Sequence, residues 1–257
     1  MQNFVSAAIS DVGHVRQSNE DSYYASDKDG LWIVADGMGG HSHGKTASQM
    51  ACNVVSQQLA QGFDMPQAID AANKAIQQLS QAMGTVNGMG TTLVAISTAA
   101  DNCLDIWWLG DSRAYIQTDI RTNVRKNVQT SSELTLLTRD HSVVQELMDA
   151  HLISPEQADD HHQKHVITRA LGINTKLAHD NTSQAEHTRI QYKKGAILML
   201  CSDGLTKEVS EQAMRGLLSS NDKLESKARA LVAQANANGG SDNITVLLLE
   251  QSVRAEC

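Results

Sequence analysis

The chain has 257 residues, 41% of them hydrophobic, which is enough to bury a large core in one domain spanning 1–257. Its formal net charge of −8 repels phosphate backbones and disfavours sequence-independent nucleic-acid binding. The N-terminus lacks a basic segment and an apolar stretch, no run of 18 apolar residues offers a membrane span, and Cys52, Cys103, Cys201 and Cys257 form no C-x-x-C pair, so a soluble, cytoplasmic, monomeric protein without a membrane partner is expected.

In chain order, Phe4–Ile9 is an apolar run of strand length. Ser22–Ser26, directly after Asn19-Glu20-Asp21, and Leu31–Ala35 follow as strands. Thr46–Gln61 and Pro66–Met83 carry apolar residues at three- and four-residue intervals and are expected to be helices. Strands are expected again at Thr91–Ser97, Leu104–Leu109 and Ala114–Gln117, a helix at Val143–Ala150, a strand at Ala196–Cys201, a helix at Leu224–Asn236 and a last strand at Ile244–Leu249. Strands in groups and helices in pairs argue against βαβ alternation and for a sheet-rich core with helices on its outer faces. Two prolines and no Ser/Gly-rich tract leave no visible linker.

Two functional signals overlap after the Leu31 strand. Gly39 to Thr46, GGHSHGKT, fits the phosphate-cradling pattern G-x-x-x-x-G-K-[ST], and AILMLCSD can pass for the magnesium-binding strand of a P-loop NTPase. The competing signal is an apolar strand bordered by Asp in four distant places: Asp36-Gly37, Gly110-Asp111, Asp203-Gly204, and Asp242 ahead of the last strand. Asp and Gly are ordinary turn residues, which accounts for any single case. Four together invite a common cause, because a buried carboxylate must be hydrogen-bonded, paired or metal-bound. Carboxylates without enough Cys or His partners favour Mg²⁺ or Mn²⁺ over zinc. The nucleotide reading uses one Asp and leaves Glu20, Asp21, Asp36, Asp111 and Asp242 unexplained.

Arg16-x-x-Asn19-Glu20-Asp21, Val34-Ala35-Asp36-Gly37-Met38-Gly39-Gly40-His41, Gly90-Thr91-Thr92, Gly110-Asp111-Ser112-Arg113, Thr138-x-Asp140-His141-Ser142, Ser202-Asp203-Gly204 and Gly240-x-Asp242-Asn243 occur in this order. The series resembles a bacterial member of the metal-dependent type 2C Ser/Thr protein phosphatases (the PPM family), from about Phe4 to Leu249. The resemblance implies an α+β fold, a four-layer αββα sandwich of two packed antiparallel sheets flanked by helix pairs. It also implies hydrolysis of phosphoserine and phosphothreonine in protein substrates, in partnership with a cognate Ser/Thr kinase.

By the same resemblance Asp36 bridges two Mn²⁺ or Mg²⁺ ions. Asp203 and Asp242 complete the first, the Gly37 carbonyl, Glu20 and Asp21 serve the second, and Asp111 with Asp203 holds a weaker third. Asn243 would orient Asp242. Such ions acidify a bridging water, so that hydroxide is available at neutral pH for in-line attack, and they neutralise transition-state charge. Arg16 is the candidate phosphate clamp, its guanidinium fork matching two phosphate oxygens; the alternative is an ion pair with Glu20 four residues on. Animal relatives have His two residues beyond the bridging Asp, where this chain has Met38, so His41 is the candidate general acid, with a metal-bound water as the alternative. Lys45 stands where relatives often carry Glu. The segment of about 143–180 corresponds to a flap over the site; within it Asp159-Asp160-His161-His162-Gln163-Lys164-His165 reads as a solvated loop, with zinc chelation as the alternative. A non-catalytic phosphoprotein-binding domain on this fold is a further alternative, weakened because every expected metal ligand is present.

Overall fold

The chain begins with β1 (Phe4–Asp11), β2 (Ser22–Ser26) and β3 (Leu31–Ala35), then the two-residue β4 (Gly37–Met38). In this computed structural model, which describes residues 3–39, 43–85, 88–124, 127–173 and 185–252, every residue of β3 is buried. A strand buried on both faces needs cover on both. One cover comes from α1 (His43–Ala60) and α2 (Met65–Met83), which pack together on the outer face of β3. The second helix is well delimited: Asp64 and Gln67 form a reciprocal capping box, Pro66 lies in its first turn, and Gly84 closes it with φ 63.

The other cover is a second sheet. Next come β5 (Gly90–Thr91), β6 (Leu93–Thr98), β7 (Cys103–Leu109), β8 (Arg113–Val124) and β9 (Asn127–Leu136), then α3 (Val143–Asp149) and α4 (Pro155–Asp159). The C-terminal part supplies β10 (Glu186–Gln191), β11 (Ile197–Cys201), α5 (Asp203–Thr206), α6 (Glu211–Leu218), α7 (Leu224–Asn238) and β12 (Ile244–Gln251). Strand order is β1-β12-β11-β8-β9 in one sheet and β10-β7-β6-β3-β2 in the other, with β4 and β5 as a small separate ladder. All pairings are antiparallel.

Alternation along each strand divides its apolar residues between two layers. From β3, Trp32 and Val34 enter the core between the sheets, while Leu31, Ile33 and Ala35 face α1 and α2. From β12, Leu247 and Leu249 enter the same inter-sheet core, and Val246 and Leu248 pack with Leu231, Val232 and Met214 of α7 and α6. The architecture is the expected four-layer αββα sandwich.

Several expectations change in detail. The strand expected over Thr91–Ser97 breaks at Thr92, because β5 leaves the large sheet to pair with β4 (Gly37↔Thr91). The short strand expected at Ala114–Gln117 is the root of the long β8–β9 hairpin. β10 and α6 were not anticipated: β10 is a half-exposed edge strand of mostly polar residues, and α6 spans only eight. Of the segment 143–180, α3 and α4 are seen, and residues 174–180 lie outside the described ones. Among the described residues no helix is long and apolar enough to cross a membrane.

Trp32 is fully buried between the sheets, edge-on to Phe4 with ring centroids 5.2 Å apart, and its Nε1 donates to Asp27 Oδ1 at 3.0 Å. Trp32→Ala should therefore cost about 3–5 kcal/mol of folding stability in urea titration; a loss below about 1 kcal/mol would show that the inter-sheet core collapses around the cavity.

Candidate metal centre

Strand register brings the acidic residues to one end of the sandwich. Ser22 pairs with Ala35, so Asp21 and Asp36 flank the same rung. Leu93 pairs with Leu109, setting Gly110-Asp111 beside Thr92, which bonds the main chain of Asp36. In the other sheet Cys201 pairs with both Arg113 and Val246, which places Asp203, just past β11, beside Asp242, just ahead of β12. A strand that runs apolar must stop where the chain turns polar, and here each stop carries a carboxylate.

Main-chain bonds fix the central one. Asp36 N donates to Thr92 Oγ1 at 2.9 Å, and Asp36 O accepts from Thr91 Oγ1 at 2.8 Å and from Thr92 N at 2.9 Å. Burial, followed by the charges of Asp21, Asp203, Asp111 and Asp242, pushes the Asp36 carboxyl well above the usual carboxylate range. Asp21 joins the two sheets: its Oδ2 accepts from Ser202 Oγ at 2.7 Å and Thr245 Oγ1 at 2.6 Å, while its Oδ1 is buried with no partner. Burial raises Asp21 to about 7 against the pull of those two hydroxyls. Asp111 is likewise raised to about 7, by burial and then by Asp203.

Asp242 behaves differently. Burial works to raise it, but Arg16 and Lys207 outweigh burial and hold it below its ordinary value. Arg16 Nε reaches Asp242 Oδ1 at 2.8 Å and Nη2 reaches Oδ2 at 3.0 Å, a two-pronged pair. Arg16 thus meets Asp242, where sequence spacing suggested Glu20. Lys207 Nζ lies 3.1 Å from Asp242 Oδ2 and 2.5 Å from Asp203 Oδ2, while Asp203 Oδ1 is buried with no partner.

Glu20 and Gly37 meet at the first turn of α1. A Cβ on Gly37 would come within 2.1 Å of Gly44 O and 2.6 Å of Glu20 O, and one on Gly44 within 2.8 Å of Gly37 C and O, so backbone on each side requires glycine at both positions. Asn243 bonds Asp242 through its main chain and does a second job with its side chain. Its side chain pins the loop that carries Arg16 and Glu20, accepting from Glu20 N at 2.8 Å and donating to Val12 O at 2.9 Å and Ser18 O at 3.0 Å. Asp242 Oδ1 is bonded by the Asn243 main-chain N at 2.9 Å.

His41 lies outside the described residues with Gly40 and Ser42, so the middle of GGHSHGKT does too; His43 to Thr46 form the start of α1. The strand before that loop sits in an antiparallel sheet, unlike the parallel βαβ setting of a P-loop. Sequence reasoning missed Lys207, whose only local signal is its place four residues after Asp203 on a helical turn. It also missed the Ser202 and Thr245 hydroxyls on Asp21, which no sequence spacing connects.

Among the described residues no group of three or more His, Cys, Asp or Glu is arranged to hold a metal ion as it stands. The donor chemistry nevertheless fits a hard cation: mutually repelling carboxylates, two of them with an orphaned buried oxygen. Beside them opens a cleft of about 570 Å³ lined by Asp111, Asp140, Asp203, Lys207, Met148 and Lys164. In a larger cavity of about 720 Å³ near Trp107, Asp105 is held by Arg189 at 2.7 Å and by His187 at 2.8 Å.

Comparison with known proteins gives consistent relatives. Residues 13–248 match the family model described as protein phosphatase 2C. The serine/threonine phosphatase stp of Listeria innocua is 37% identical, with 95% of this chain and 94% of that protein covered. The crystal structure of the Mycobacterium tuberculosis serine/threonine phosphatase PstP/Ppp superposes with a TM-score of 0.80 at 34% identity, covering 97% of this chain and 99% of that one. The PstP catalytic domain in complex with two manganese ions gives a TM-score of 0.77 at 34% identity, with 96% and 97% covered.

The raised carboxyls set a pH dependence. In metal-free protein Asp21, Asp111 and Asp36 keep protons that the unfolded chain releases near pH 4, so the folded state binds more protons and stability falls as pH rises through about 7. His141, held down by burial, acts in the opposite sense below about pH 6.5. The Tm of chelator-treated protein should therefore drop as pH rises from about 4.5 to 7, three carboxyls outweighing the one imidazole, and Mn²⁺ should remove that drop by stabilising the ionised carboxylates. A flat or rising Tm would contradict the raised carboxyls.

Proposed function

The chain belongs to the protein phosphatase 2C family, and from this we propose that it is a metal-dependent protein serine/threonine phosphatase acting on phosphoserine and phosphothreonine. The observation that carries the reading is the convergence of Asp21, Asp36, Asp111, Asp203 and Asp242 at one end of the sandwich, close enough for their charges to act on one another.

A phosphate monoester dianion repels anionic nucleophiles, so a cluster of carboxylates can serve it only if cations stand between. Asp36 would be shared by two ions, with Asp203 and Asp242 on the first and the Gly37 carbonyl, Glu20 and Asp21 on the second. Two Mn²⁺ or Mg²⁺ ions would supply an acidified water and positive charge opposite the phosphoryl oxygens. The weaker third ion expected on Asp111 and Asp203 faces a competitor, because Lys207 already donates to Asp203.

The remaining roles fall to the chain itself. Thr91 and Thr92 hold the Asp36 main chain from beneath, and Ser202 and Thr245 fix Asp21 between the sheets. Asn243 ties the Arg16–Glu20 loop to β12. The Arg16 side chain is 57% exposed, so its fork can turn from Asp242 to two phosphoryl oxygens once Asp242 serves a cation. His41 is the candidate to protonate the leaving alkoxide. The segment 143–180, whose α3 and α4 border the cleft through Val144, Met148 and Ala158, is the candidate flap for the phosphopeptide. The protein would act in cytoplasmic signalling, as a monomer and single domain, opposite a Ser/Thr kinase.

Hydrolysis of a phosphothreonine peptide tests this. Metal-stripped protein should be inactive, Mn²⁺ should restore activity, and Asp36→Asn and Asp242→Asn should each lower it by roughly a hundredfold or more, the scale of losing one group that stabilises transition-state charge. Full activity in Asp36→Asn, or ATP turnover abolished by Lys45→Ala, would refute the assignment.

A further inference from the structure

Lys207 has entered so far only as the partner of Asp203 and Asp242. It stands one helical turn after Asp203, its side chain is 26% exposed, and its ammonium bridges two carboxylates that come from opposite ends of the α5–β12 segment, Asp203 at 2.5 Å and Asp242 at 3.1 Å. Asp111 lines the same cleft and feels its charge. An ammonium is a compact point charge with three donors, and two carboxylates use two of them here. Surface ion pairs of this kind are weak and common, but this one is drawn into the carboxylate cluster, where charge is the scarce quantity.

We propose that Lys207 is a tethered cation that takes the place of a third metal ion, neutralising the Asp111–Asp203–Asp242 side of the cluster and holding the number of bound ions at two. The inference rests on the two-metal phosphatase reading. A divalent ion on Asp111 and Asp203 would stand against the ammonium, and a like charge in a partly buried site disfavours it strongly. Asp203 still offers its second oxygen, Oδ1, which is buried without a partner, to an ion shared with Asp36. Lys207 is thus a positioning residue that sets metal stoichiometry, and it acts on substrate only through the carboxylates.

The test counts ions and does not depend on turnover. Metal-stripped wild-type protein, Lys207→Met, Lys207→Arg and Lys207→Met/Asp111→Asn are titrated with Mn²⁺ by calorimetry, with bound metal counted by elemental analysis. Wild type and Lys207→Arg should bind two ions, Lys207→Met should bind a third, and removing Asp111 in that background should return the number to two. A third ion bound by the wild type overturns the inference without recourse to any variant, as does a count of two in a folded Lys207→Met. Two ions in every protein would leave the two-metal reading intact and remove only the role of Lys207; no Mn²⁺ bound by the wild type would overturn both.

Discussion

Mutual repulsion among carboxylates governs the end of the sandwich that holds the site. Burial, and then the charges of neighbouring carboxylates, raise the proton affinity of Asp21, Asp36 and Asp111, while Arg16 and Lys207 hold Asp242 below its ordinary value. Left to itself such a cluster would spread apart or take up protons. The fold forbids the first: each Asp adjoins a strand whose apolar residues are locked in a core layer, so moving the carboxylate means moving the strand. The remaining means of relief are protons, side-chain cations and metal ions, and the structure displays the second in the Arg16 and Lys207 pairs.

The sandwich supplies the rigidity this requires. Its middle layer, built from Trp32, Val34, Ile96, Ile106, Leu198, Leu200, Leu247 and Leu249, fixes one sheet against the other. Asp21 then spans that junction at its rim, accepting from hydroxyls of the opposite sheet. A charge placed there costs stability, and the cost is borne by the apolar layers on either side. Site and core are therefore one energetic problem, with the site drawing on stability that α1, α2 and α7 provide.

What the sequence revealed followed from local rules. Fully apolar strands such as LWIVA and AILMLC announce themselves by composition, and an Asp-Gly pair at their ends is visible without any contact being known. A sheet-rich core with helices outside was legible from those signals, as were the five aspartates that register later brings together, while the αββα layering came with the family that seven ordered motifs resemble. Long-range partners were not legible. β10 and the outer part of the β8–β9 hairpin are polar edge strands whose pairing is set by their neighbours rather than by their own pattern. Asn243 bonds its neighbour Asp242 through its main-chain N, but no sequence signal shows that its side chain serves a loop more than 220 positions earlier, at Val12 and Ser18. The phosphate-loop match failed for the same reason: eight residues can satisfy a spacing rule, but only the sheet around them decides what the spacing serves.

The two cations at the site show why Arg and Lys are not equivalent there. Arg16 lies on a loop, is more than half exposed, and presents a planar fork, so it can exchange one pair of anionic oxygens for another with little reorganisation. Lys207 is on the helical turn that Asp203 opens, is three-quarters covered, and cannot leave without exposing two carboxylates to each other. A group that must meet each incoming phosphate belongs on the first kind of platform. A charge that stays while ions and substrate come and go belongs on the second, and the roles proposed for Arg16 and Lys207 match the platforms they occupy.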